Sequence, residues 1–183
     1  MTNGLVVMTP TSIAYSGTSA SINADGSVVF SACSSLSLNG VFTGDYDNYM
    51  VTVRVGAGSS NSYNVTVRLR TSGTDASGTN YTWQWLQATG TTVNGTRTTS
   101  ATETRVGLYT ESSKYQGSTF YVFGPQLAQP TALRGVSAGA YLNAYLNDYA
   151  STHSLSTSYD GLTFIPEASS TFGGLVTVFG FNQ

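Results

Sequence analysis

Twice in quick succession the chain alternates apolar and polar side chains without a break. In YMVTVRV (49–55), Tyr49, Val51, Val53 and Val55 fall on one side, with Met50, Thr52 and Arg54 on the other. In YNVTVRLR (63–70), Tyr63, Val65, Val67 and Leu69 alternate with Asn64, Thr66, Arg68 and Arg70. A period of two belongs to a strand with one buried face, whereas a helix needs 3.6. The segment between the runs, GAGSSNS (56–62), has turn chemistry. The two runs are therefore expected to pair as an antiparallel hairpin, with Val51, Val53, Val65, Val67 and Leu69 inward. Arg68 and Arg70 should point outward and tolerate substitution.

The same pattern recurs along the chain. NYTWQWLQA (80–88) puts Tyr81, Trp83 and Trp85 on one face, and further candidates are TETRVGLYT (102–110), STFYVFG (118–124), TALRGVSA (131–138), GLTFIP (161–166) and GGLVTVFGF (173–181). Near the start lie GLVVM (4–8), SVVFSA (27–32) and SLSLN (35–39). About ten short strands separated by Gly, Asn and Ser imply an all-β sandwich or barrel, and an antiparallel β-sandwich of jelly-roll type is the expectation. AYLNAYLNDY (140–149) is ambiguous. Tyr141, Tyr145 and Tyr149 recur every four residues, which suits one face of a helix and one face of a strand alike. The alternating asparagines favour the strand. Residues 1–35 are poorer in aromatics and read either as an arm that docks on neighbouring subunits or as the first strands. Residues 36–183 form the sandwich domain.

Composition narrows the function. Seven Lys+Arg against nine Asp+Glu leave a net charge of −2, and Lys114 is the one lysine. A nucleic-acid footprint and a polybasic membrane patch are both excluded. Ser and Thr occupy 52 positions and Gly 20, so the surface is hydroxylated rather than charged. Twenty-two aromatics can still furnish a core. Cys33 is alone, so no internal disulfide forms, and it reads as a small buried apolar side chain. No apolar run reaches transmembrane length, and MTNGLVVMTPTS lacks the pattern of a secretory signal. An outside-type surface without that signal fits a particle assembled in a host cytoplasm and released by lysis.

Chemistry-bearing residues are sparse. Asp45 and Asp47 fit the first two ligand positions of a calcium loop, but Tyr49 takes the third and no glutamate follows. Asp45 and Asn48 read instead as turn formers at a strand entry. His153, in ASTHSLSTS, has no nucleophile elbow before it and reads as a solvated loop residue. Glu103, Glu111, Asp148 and Asp160 are the carboxylates that a glycosidase would need, without any distinguishing pattern. Neither a metal nor a cofactor is expected. Trp83 and Trp85 read as core, or as a glycan-stacking platform if they face outward.

Two stretches together resemble a known module. SLSLNGVFTGDYDNYMVTVRV (35–55) carries Phe42, Tyr46, Asn48 and Tyr49 at a strand entry. The closing TSYDGLTFIP…TFGGLVTVFG carries Tyr159, Asp160, Gly161, Gly174 and Gly180. With the VRLR strand between them, these resemble a β-sandwich module of tailed-bacteriophage virion proteins, found in minor tail proteins, short tail fibres and decoration proteins. The versions they are most similar to come from phages of aquatic bacteria such as cyanobacteria. The resemblance implies a virion structural protein without catalytic residues, a homotrimer bound to other tail or capsid proteins. A tail fibre or tip component contributing to host attachment, with a surface glycan as possible target, is the first expectation. A head decoration (cement) protein is the alternative, and a polysaccharide-degrading enzyme comes third. Tyr141, Tyr145 and Tyr149, together with FGFNQ (Phe179, Phe181 and Asn182 within it), are the candidate subunit contacts.

Overall fold

The computed structural model describes residues 4–56, 63–110, 114–139 and 145–182. The described residues are all-β, with fourteen strands rather than about ten. The first five are β1 (Val6–Val7), β2 (Ser12–Ile22), β3 (Val28–Asn39), β4 (Asn48–Gly56) and β5 (Tyr63–Thr71). Next come β6 (Thr74–Asp75), β7 (Tyr81–Thr89), β8 (Thr92–Ala101), β9 (Thr104–Thr110) and β10 (Gln116–Phe123). β11 (Thr131–Gly139), β12 (Tyr145–His153), β13 (Gly161–Pro166) and β14 (Phe172–Phe181) complete the set. All pair antiparallel in one sheet, ordered β6-β5-β13-β3-β14-β4-β10-β11-β12-β7-β8, with β1 beside β14, β2 beside β3 and β9 beside β5.

The sheet turns a corner inside β3. Its first half pairs with β14 (Val28↔Val176) and its second half with β13 (Leu36↔Phe164). Between them Ala32 takes φ 45°, and Gly17 of β2 comes so close that a Cβ there would sit 2.3 Å from the Ala32 carbonyl oxygen. The sheet then curls until β9 crosses the inner face of β10, β11 and β12. Leu36, Val51, Val65, Val67, Phe120 and Phe164 fill the enclosed core, each contributing roughly 1.5–3 kcal/mol.

A strand lying across an inner face leaves one backbone edge in apolar surroundings, where unpaired groups are costly. Side chains of the opposing strands satisfy it. Gln116 Oε1 accepts the Tyr109 N–H at 2.9 Å. Ser137 Oγ and Asn147 Nδ2 donate to the Gly107 carbonyl at 2.6 and 3.1 Å. Gly107, at φ +65°, forms the bulge that allows this approach.

Several expectations are corrected. The inward residues Val51, Val53, Val65, Val67 and Leu69 are all buried, yet β4 and β5 do not pair. β4 lies between β14 and β10, and β5 between β13 and β9. Their valines belong to one core cluster, but each strand finds longer-range partners for both edges. Most of the turn between them lies outside the described residues. Arg70 is not outward: only 6% of it is exposed. Its Nη1 donates to Asp75 Oδ1 (2.9 Å) and Thr163 Oγ1 (2.6 Å), and Nη2 to the Gly73 carbonyl. SVVFSA and SLSLN are one strand, β3, and residues 145–149, the described part of the ambiguous segment, are strand within β12. Tyr141 lies outside the described residues.

Candidate functional site

Charge is scarce in this chain, so a cluster of two arginines and two glutamates stands out. The outer face of β5 presents Asn64, Thr66 and Arg68 at alternate positions, and Thr66 pairs in register with Arg105 of β9. Arg68 Nη2 donates to Glu103 Oε2 at 2.8 Å, and Arg105 Nη2 to Glu167 Oε1 at 3.0 Å. Asn64 Nδ2 donates to the other Glu167 oxygen at 2.8 Å. The Arg105 guanidinium lies 5.0 Å from the Trp83 ring centre and 5.3 Å from that of Trp85, within cation–π range. Thr66, Trp83, Ser100, Glu103, Arg105 and Glu167 border a cleft of about 290 Å³.

These charges pair with one another, although Arg68 Nε and Asn64 Oδ1 are buried without a hydrogen-bond partner. Each carboxylate has a guanidinium partner, and each half-buried guanidinium a carboxylate. A stacking platform needs an open indole face. Trp83 and Trp85 are only 8% and 7% exposed, with Arg105 over both rings. Their faces serve the interior and the cation–π contact. The cleft ties β5, β8 and β9 to the β13–β14 connection.

The two sequence motifs come together elsewhere, as a structural joint. The Phe42 N–H donates to the Asp160 carbonyl at 3.1 Å. Gln126 Nε2 donates to the carbonyls of both Phe42 and Tyr159. Tyr49 Oη donates to the Thr43 carbonyl at 2.6 Å and accepts the Thr43 N–H at 2.7 Å, with its ring 4.7 Å from that of Phe42. Asp160 Oδ2 accepts the Ser72 N–H at 2.9 Å. Gly161 and Gly174 lie against the carbonyls of Leu38 and Arg54, and Gly180 against the ring of Tyr46. A side chain at any of the three would collide. Gln126, which links the motifs, had no signal in the sequence, because a polar residue in a loop shows no periodicity.

Asp45 is engaged in the turn: Thr43 Oγ1 donates to its carboxylate at 3.2 Å and accepts its N–H at 3.3 Å. The Asp47 N–H meets Asn182 Oδ1 at 3.4 Å. Among the described residues no three His, Cys, Asp or Glu side chains converge as metal ligands would. The carboxylates are dispersed. Glu103 pairs with Arg68, Asp148 with Arg134 on the outer face, and Asp160 caps the turn at Ser72; Glu111 lies outside the described residues.

His153 is not a solvated loop residue. It ends β12 at 0% exposure, its Nδ1 3.0 Å from Tyr159 Oη and its ring 4.4 Å from that of Tyr81. Burial lowers its pKa below the ordinary value. Its Nε2 has no partner, and neither do Thr131 Oγ1 and Ser151 Oγ. Two of the candidate contact tyrosines, Tyr145 and Tyr149, are also interior. Tyr145 donates to Gln116 Oε1 at 2.6 Å, and Tyr149 Oη lies 2.6 Å from Ser118 Oγ. Desolvation raises the Tyr149 pKa strongly. Phe179 and Phe181 are half-buried on the outer face, Phe181 with its ring 5.9 Å from that of Tyr121, and Asn182 is exposed.

No protein-family model matches this chain, and no curated protein does. Among solved structures, it is similar to a protein of unknown function from Shewanella oneidensis MR-1. That likeness has 9% identity and covers 96% of this chain and 78% of the other, at a TM-score of 0.27. An alignment that loose carries no argument about function.

Proposed function

We propose that the protein is a structural component of a bacteriophage particle, acting by assembly rather than catalysis, at the tail in host attachment or as a clamp on the head. In this reading the curled sheet is a β-sandwich of jelly-roll type, with β9, β5, β13 and β3 forming one wall and β4, β10, β11 and β12 the other. Copies contact one another and other virion proteins.

One observation carries the reading: among the described residues, the sheet is left open at long, almost uncharged edges. β2 and β8 span eleven and ten residues, are exposed along nearly their whole length, and hold a single charged side chain, Arg97. Free-standing proteins blunt such edges with lysine, proline or short strands, because an open edge recruits other strands. Hydroxyl-rich, weakly charged surfaces that meet partners at every turn suit a fixed place in an assembly.

Quantitative mass spectrometry of purified particles tests this. Tens of copies per particle support the tail and hundreds the head. Absence from washed particles overturns the proposal.

A further inference from the structure

Resting on the self-assembly reading above, we propose that β2 is a homotypic docking edge, pairing antiparallel with β2 of a second copy about a two-fold axis at Gly17. Among the described residues, β2 hydrogen-bonds to β3 along one edge only. The other edge, about 37 Å long at strand rise, presents unpaired backbone groups, enough for about ten inter-strand bonds.

The sequence of this strand says what covers it. SIAYSGTSASI has no charged residue and no proline, so two copies meet without like-charge repulsion. It is also nearly symmetric about Gly17. Pairing on that axis sets Ala14 against Ala20 and Ser16 against Thr18. Each of the three large side chains, Ile13, Tyr15 and Ile22, then falls opposite a serine: Ser21, Ser19 and Ser12. Tyr15, 45% exposed in the single chain, gains room over the side-chain-free Gly17 of the other copy. The competing edge fits a copy of itself less well. Antiparallel β8–β8 pairing over most of its length brings two Arg97 side chains next to each other. Exposed Val29, in register with Ser21 of β2, extends the contact beyond the backbone ladder.

Light scattering on the purified full chain at micromolar concentration should give twice the 19.2 kDa chain mass. Ser16→Lys with Thr18→Lys, both exposed and facing each other across the axis, should halve that mass with an unchanged far-ultraviolet circular dichroism spectrum. Should the lysine variant fail to fold, cysteine crosslinking decides independently. Ser16→Cys mixed with Thr18→Cys should give a disulfide-linked pair under mild oxidation, and Ser16→Cys alone much less; native Cys33 is buried and silent. A wild-type monomer overturns both this contact and self-assembly in solution. An oligomer of any size that survives the lysine pair, or no crosslink in the mixture, overturns the β2 contact and leaves self-assembly standing.

Discussion

Two arginines show how far burial changes the weight of an ion pair. Arg70 lies inside a network with Asp75, Thr163 and Ser37, its side chain 7% exposed. Arg134 pairs with Asp148 on the open outer face. Removing one partner of a buried pair strands the other, at a cost of roughly 3–5 kcal/mol, while exposed pairs contribute about 0–1 kcal/mol. Arg70→Ala should therefore lower the melting temperature by many degrees and Arg134→Ala by few, as read by calorimetry. Equal effects would mean that the Asp75 network is solvated. His153 adds a pH dependence. The folded chain holds it neutral, with its pKa below the ordinary 6.5, so the unfolded chain binds the extra proton first. Its contribution is complete above pH 6.5 and lost as pH falls from there through the folded pKa. Melting temperature should drop on acidification across that window, and His153→Gln should flatten that part of the profile.

At the scale of elements, β9 is the strand whose position decides the interior. It reaches across the inner face only because Gly107 adopts φ +65° and because Ser137, Asn147 and Gln116 satisfy its free edge. A Cβ at Gly107 would sit 2.3 Å from Ser137 Oγ. Gly107→Ala should cost about 1–3 kcal/mol from strained backbone, before any displacement of Ser137. Denaturant unfolding would show it as a lower midpoint at unchanged slope. Val53, in the central strand β4, tests the apolar face. Val53→Asp buries an unpartnered carboxylate and should cost several kcal/mol. A soluble variant with unchanged melting would contradict the burial seen here.

For the molecule as a whole, one sheet forms nearly everything, and its open ends are where other chains can add. The interior is closed by its own side chains: tyrosines that suit subunit contacts by composition, Tyr145 and Tyr149, are consumed by Gln116 and Ser118. The surfaces left open are the edges and the outer face, where Leu86, Val136 and Leu146 are each about half exposed. Adding a charge at Leu146, as Leu146→Glu, should leave melting within a few degrees of wild type, because surface changes are worth about ±0.5 kcal/mol. A sharp loss of stability would mean that this face is covered within the chain.

Sequence alone determined the strands that have one face in the core. Alternation at 49–55 and 63–70 reports burial directly, so the inward valines, the all-β class and the strand-entry turn at Asp45 were legible. β2 and β8 were not, because a strand solvated on both faces is under no pressure to alternate; SIAYSGTSASI and TVNGTRTTSA look like loop. Which strands pair was equally hidden. β4 and β5 are adjacent in the chain and separated in the sheet, since hydrogen-bond partners are chosen by long-range closure that no local window contains. The candidate site followed the same division. Both motifs were visible as residues, but their joint through Gln126, the burial of His153 and the covering of Trp83 and Trp85 by Arg105 exist only after distant segments meet. Periodicity records what a residue faces on its own strand, and tertiary structure decides what arrives on the other side.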